Sequence, residues 1–106
     1  MISVVIPALN EAARLPRLLR ALRAEPVRCE TVVVDGGSED GTPEVAREAG
    51  AALVLSAPRG RGQQMAVGAA AARGSVLLFL HADTTFPAGG LLALTELLQR
   101  RPEVVG

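Results

Sequence analysis

Four short apolar runs, each followed by a polar loop and an amphipathic stretch, constrain this chain more than any other feature. "ISVVI" (2–6), "TVVV" (31–34), "ALVLS" (52–56) and "SVLLFL" (75–80) have strand length and are rich in β-branched residues. Between them the period changes. Leu15, Leu18, Leu19 and Leu22 recur at helical spacing, with Arg14, Arg17, Arg20 and Arg23 largely off that face and expected to be solvated. Pro26 is expected to end this helix. Thr42 reads as an N-cap before Pro43, opening a short helix that stops near Gly50. Residues 63–73 read as a helix of small residues closed by Gly74, with Gly68 and the following alanines suited to close packing on a sheet. Residues 91–101 read as a last helix, and "EVVG" at the end begins a further element. The continuously apolar run 75–80 predicts a central strand buried on both faces. Strands alternating with helices predict an α/β fold: an open, mainly parallel sheet with helices on both faces.

In such sheets ligands bind beyond the carboxyl ends of the strands. Those ends are "PALNE", "DGGSEDG", "APRGRG" and "HAD", so the polar groups crowd on one edge. At 106 residues the chain is a single domain with a modest core. Eleven arginines balance eleven acids, with no lysine, which argues against a nucleic-acid or anionic-membrane binder. Two phenylalanines are too few for a base-stacking platform. One cysteine, Cys29, excludes an internal disulfide and a cysteine zinc cluster, and is compatible with a reducing compartment. The N-terminus lacks a signal peptide's basic start, and no apolar run approaches the ~20 residues of a membrane span. The expected location is the cytoplasm, in solution or at a membrane periphery.

Two nucleotide-binding patterns are missing. A nicotinamide-binding domain needs a glycine-rich turn after the first strand, where this chain has "PALNEA". A P-loop needs GxxxxGK[ST], and there is no lysine to complete one.

"VVIPALNEA", "VVVDGGSEDGT", "RGRGQQMAVGAAAARG" and "HADT", in this order and spacing, resemble the nucleotide-sugar-binding half of a family 2 glycosyltransferase with the Rossmann-like GT-A fold. The resemblance covers essentially the whole chain. It implies a donor that is a nucleotide-diphosphate sugar, with UDP expected, and a divalent cation, Mn²⁺ or Mg²⁺, that steadies the leaving diphosphate. Pro7, Asn10 and Glu11 would lie in the loop that meets the nucleoside; Asn10 and Glu11 also fit a helix start. Asp35 would accept a hydrogen bond from the base, or serve as an Asx turn at the strand end. Ser38, Asp40 and Thr42 fit the family's S-x-D-G-T signature and read as loop and cap residues. Arg59 and Arg61 are equally placed either to bind phosphate or to sit solvated in a glycine-rich loop. The family usually carries an asparagine in the following helix, where this chain has Ala66 and Val67. Asp83 would be the cation ligand. The family's D-x-D here reads H-A-D; imidazole suits Mn²⁺ better than Mg²⁺, and His81 is expected to line the site, with a phosphate hydrogen bond or a structural role at the strand end as the alternatives to ligation.

The resemblance implies an acceptor-binding half carrying the general base. Glu96 and Glu103 are not well placed for that task, so the chain reads as a donor-binding half whose acceptor is unspecified. A sheet cut at that point would leave an unpaired edge open to self-association. Two other readings compete. A nucleotidyltransferase-like domain would usually show a lysine-bearing glycine loop after strand one. A degenerate binding or assembly module would keep the fold without the chemistry.

Overall fold

The computed structural model describes residues 1–100. Their order is β1 (Ile2–Ala8), α1 (Leu15–Arg23), β2 (Cys29–Asp35), α2 (Thr42–Glu48), β3 (Leu53–Ser56), α3 (Arg61–Ala71), β4 (Val76–Phe79) and α4 (Gly90–Arg100). The terminal "EVVG" lies outside the described residues. The strands form one sheet in the order β3-β2-β1-β4, and every pairing is parallel.

Alternation along the strands sends apolar side chains to both faces. Ile2, Val4, Ile6 and Val33 meet the four leucines of α1, Ala46 of α2 and Leu91 of α4. Val5, Val32 and Val34 face the other way and pack with Val67 of α3. The predicted α/β architecture with helices on both faces is therefore observed. Gly68 lets α3 sit tightly on the sheet: a Cβ there would lie 2.4 Å from Val5 Cγ1 and 3.0 Å from Val34 Cγ2.

Three local expectations are corrected. The run 75–80 is not a central strand; β4 pairs only with β1 among the described residues, and β1 and β2 hold the middle. Its alternate side chains, Leu77 and Phe79, are 40% and 39% exposed, because α3 packs over β1, β2 and β3 and leaves this face of β4 uncovered. A run apolar on both faces carries no alternation from which a half-covered strand could be told. Thr42 is not the N-cap of α2. Gly41 holds that place with φ +82°, and the Thr42 hydroxyl turns instead towards Asp40 and the β1–α1 loop. Gly74 does not close α3, which ends two residues before Arg73. It lies flush against β1, where a Cβ would come within 2.5 Å of the Met1 carbonyl oxygen.

At the amino end of the sheet, Glu30 is buried and fully engaged. Its Oε1 accepts from the Ser3 hydroxyl at 2.8 Å and from the Arg73 backbone N–H at 2.9 Å, while Oε2 accepts from Arg73 Nε at 2.8 Å. The bonds from Arg73, its backbone N–H first, hold the Glu30 carboxyl below its ordinary 4.5. A depressed folded value stabilises the fold above the unfolded value and ceases to do so as pH falls through the folded one. Glu30→Gln should therefore lower unfolding free energy by about 2 kcal/mol at neutral pH. In urea titrations that gap should shrink below about pH 4 as the native carboxylate takes up its proton.

Candidate functional site

The carboxyl ends of β1, β2 and β4 meet at one edge, and the loops there are laced together. The Asn10 N–H donates to Ser38 Oγ at 2.8 Å, and the Glu39 N–H donates back to Asn10 Oδ1 at 2.9 Å. The Glu11 N–H donates to Thr42 Oγ1 at 3.0 Å, and the Ala12 N–H to Asp40 Oδ2 at 3.1 Å. Asn10 itself adopts φ +54°, a left-handed conformation that asparagine tolerates better than most residues. The S-x-D-G-T residues thus do more than turn their own loop: they set the backbone course of residues 10–12. The Thr42 hydroxyl above all, then the Ala12 and Thr42 backbone donors, hold the Asp40 carboxyl below its ordinary range. Asp40→Ala should speed amide hydrogen exchange at Ala12 and Thr42 by at least about tenfold. Unchanged exchange would remove Asp40 from this role.

Beside these loops lies a cavity of about 250 Å³, lined in part by Pro7, Ala8 and Leu9. Glu11, Arg61, His81 and Asp83 line it, as does Gln64. Glu11 Oε1 accepts from Arg14 Nη1 at 3.2 Å, whereas Oε2 is buried with no hydrogen-bond partner among the described residues. An unpaired buried carboxylate oxygen is costly and calls for a donor or a cation. Arg61, the first residue of α3, donates through Nη2 to His81 Nε2. A guanidinium has no lone pair with which to accept, so the ring is the acceptor and its proton sits on Nδ1. Asp83 is exposed at the cavity wall.

Of the residues expected from sequence, the cavity brings together Pro7, Glu11, Arg61, His81 and Asp83. Asn10 serves the loop lacing. Arg59 is exposed and outside the cavity lining. Asp35 is 5% exposed, and its carboxylate turns into its own loop. Oδ2 accepts from the Gly37 and Ser38 N–H groups at 3.0 Å each, and Oδ1 accepts from the Ser38 hydroxyl at 2.5 Å. Asp35 is aligned with Ala8 across β1 and β2, and Ala8 shares the cavity with Asp83. The two aspartates therefore share an edge of the sheet but not a cavity.

Gln64 went unrecognised in the sequence. It is 5% exposed, and its Nε2 donates to the carbonyl oxygens of Ala8 at 3.0 Å and Val34 at 2.9 Å. Those are backbone acceptors at the ends of adjacent strands. Gly36 makes room for it: a Cβ there would lie 2.8 Å from the Gln64 carboxamide. Gln64 so pins the first turn of α3, and with it Arg61, to the sheet. One signal was available, a glutamine pair opening a helix otherwise built of small residues.

The residues present suit a hard divalent cation in part. Asp83 and the unpaired oxygen of Glu11 offer two oxygen donors to one cavity, and diphosphate oxygens commonly complete such a shell. No cluster of three or more His, Cys, Asp or Glu side chains stands ready to hold an ion among the described residues. His81 Nε2 is already engaged by Arg61. No helix among the described residues is long and apolar enough to cross a membrane.

Known proteins resemble this chain over most of its length. A glycosyltransferase of Mycobacterium bovis is 34% identical over 104 residues, which are 98% of this chain and 46% of that protein. The undecaprenyl-phosphate 4-deoxy-4-formamido-L-arabinose transferase of Aeromonas hydrophila is 32% identical over 117 residues, covering 100% of this chain and 36% of its own length. The chain thus spans less than half the length of these relatives. Among solved structures, glucosyl-3-phosphoglycerate synthase from Mycobacterium tuberculosis, in complex with Mn²⁺, UDP and glucosyl-3-phosphoglycerate, superposes with a TM-score of 0.73. It is 30% identical, over 93% of this chain and 38% of that one. S. aureus TarS 1–349 shares the fold, with a TM-score of 0.84 at 24% identity over 94% of this chain and 32% of that one. The family model described as Glycosyl transferase family 2 matches residues 3–106, and the chain belongs to that family.

Proposed function

We propose that this chain is the donor-binding portion of a glycosyltransferase that takes a sugar from a UDP-linked donor with the help of a divalent cation. The observation that carries the reading is the convergence of Glu11, Arg61, His81 and Asp83 on one cavity at the carboxyl edge of a parallel sheet. The mycobacterial synthase bound to Mn²⁺ and UDP, similar over most of this chain, supports both the nucleotide and the cation.

Asp83 and Glu11 would hold the cation, which when bound supplies positive charge against the departing nucleoside diphosphate. Arg61 offers further N–H donors to the same phosphates, in a fork suited to oxyanions. Its orientation is set twice, by His81 at its tip and by Gln64 one helical turn along. The laced loops hold the Glu11 backbone, through its N–H donating to Thr42 Oγ1. Pro7 and Leu9 supply an apolar surface beside these charged groups. Asp35 acts on this site through the loop that it folds. The general base would come from an acceptor-binding region, as in the resemblance drawn above, so these 106 residues alone should bind nucleotide and transfer sugar poorly.

Calorimetric titration of the purified protein with UDP, with and without Mn²⁺, tests the reading. Binding that strengthens with Mn²⁺ is expected. Absence of UDP binding under either condition would favour a binding or assembly module that has lost its donor chemistry.

A further inference from the structure

We propose that Glu25 is a positioning residue: by holding the start of α4 it sets the course of the strap, residues 81–89, that carries Asp83 into the cavity. The role of Asp83 rests on the donor reading above; the mechanical tie between Glu25 and the strap does not.

Glu25 sits just past α1, in a turn that its own N–H closes by donating to the Leu22 carbonyl oxygen at 3.2 Å. Both of its carboxylate oxygens are spent on the start of α4. Oε2 accepts from the Gly89 N–H at 2.9 Å, and Oε1 accepts from the Leu91 N–H at 2.8 Å. Amides at a helix start have no acceptor inside the helix. α4 has no cap of its own to offer them: "PAGG" holds no Ser, Thr, Asp or Asn, and the first turn holds no acidic residue. A carboxylate there also meets the positive end of the helix dipole. Leu91 is the residue of α4 that is buried, so the clamp is a large part of what fixes this helix to the molecule.

The strap itself is held mainly at its ends. At the near end the Leu80 N–H donates to the Val5 carbonyl oxygen at 3.1 Å, the Thr84 N–H donates to that of His81 at 3.0 Å, and the His81 ring is engaged by Arg61. Beyond Thr84, the N–H groups of Thr85, Phe86 and Ala88 make no backbone hydrogen bond among the described residues. What guides this stretch is its far end. The Phe86 ring rests against Gly90, where a Cβ would lie 2.8 Å from its Cε2, and packs on the core cluster that includes Leu91. Glu25 grips the residues on either side of Gly90, and so holds the seat of that ring. Asp83 is exposed, and no salt bridge among the described residues holds its carboxylate, so its place is set by the backbone of the strap. Slack admitted at Gly89 therefore reaches Asp83.

The test counts bound Mn²⁺ in the purified protein with saturating UDP, from the electron paramagnetic resonance signal of the free hexaaqua ion. Glu25→Ala should weaken Mn²⁺ binding by about fivefold, less than the loss of a group in direct contact with a ligand brings. Glu25→Gln keeps one acceptor oxygen and should weaken it by about twofold, a partial rescue. UDP affinity without metal should stay within about twofold in both. Glu30→Gln is the control: it removes stability away from the strap and should bind Mn²⁺ as the parent does. Amide exchange without ligands gives a second readout. Glu25→Ala should speed exchange at Gly89 and Leu91, and at Thr84 by at least about tenfold, whereas Glu30→Gln should leave Thr84 as in the parent. Parental Mn²⁺ binding in Glu25→Ala, or an equal loss in Glu30→Gln, would overturn the proposal. If Glu25→Ala fails to fold, Glu25→Gln carries the same comparisons. A parent protein that binds no Mn²⁺ with UDP would strike the donor reading instead. Exchange at Thr84 then decides the tie alone: faster in the Glu25 variant only, it stands; unchanged, it falls.

Discussion

Replacing Asp83 with alanine is expected to abolish the manganese-dependent part of UDP binding. The carboxylate is exposed at the cavity wall, so its loss costs little in folding and the effect falls on the ligand. With Glu11 left as a single protein ligand, the apparent affinity for Mn²⁺ should fall by at least about a hundredfold, beyond what loss of an outer-shell partner brings. His81→Ala should do less, a factor of about three in UDP affinity, because its Nε2 is engaged by Arg61. Titrating UDP at several Mn²⁺ concentrations separates the two effects. An Asp83→Ala protein that keeps the parent's manganese dependence would exclude Asp83 as a ligand.

The second large effect is structural. Gly68→Ala would stabilise an ordinary exposed helix by up to ~1 kcal/mol. Here the sign should reverse, because the new methyl would lie 2.4 Å from Val5 Cγ1 and 3.0 Å from Val34 Cγ2. Both valines are fully buried, with no room to retreat. Overpacking of this kind costs about 1–3 kcal/mol, and Gly68→Val should reach the upper end. Against a total stability on the order of 5–15 kcal/mol, that is a large share. Urea titration of the parent and both variants reads it directly, as a fall in midpoint at constant slope. A Gly68→Ala protein more stable than its parent would show that α3 can lift from the sheet at no cost.

What the sequence disclosed and what it withheld follow from how far each feature reaches along the chain. The strands and helices were legible because each is written locally. "TVVV" and the leucines of α1 declare their periods within a few residues, and the glycine at position 68 announced a close approach. The lateral place of β4 was not legible, because "VLLF" is apolar on both faces whether or not a helix covers it. Gln64 was hidden for another reason. Its partners are carbonyl groups of Ala8 and Val34, and no pattern near residue 64 says that two strand ends will stop beneath it. Asp35 was ambiguous because a turn-forming aspartate and a base-reading one have the same neighbours in sequence.

The seating of β1 between β2 and β4 has a consequence for how the molecule comes into being. β1 cannot gain its second neighbour until about seventy residues have followed it, and the walls of the cavity are drawn from positions 7 to 83. Contacts so distant are made late and together, since the entropy of closing the long loops precedes any reward. If nucleotide occupies that cavity, neither proteolytic half should retain it, and its presence should slow digestion along the whole polypeptide, because a ligand held by the folded form alone stabilises all of it.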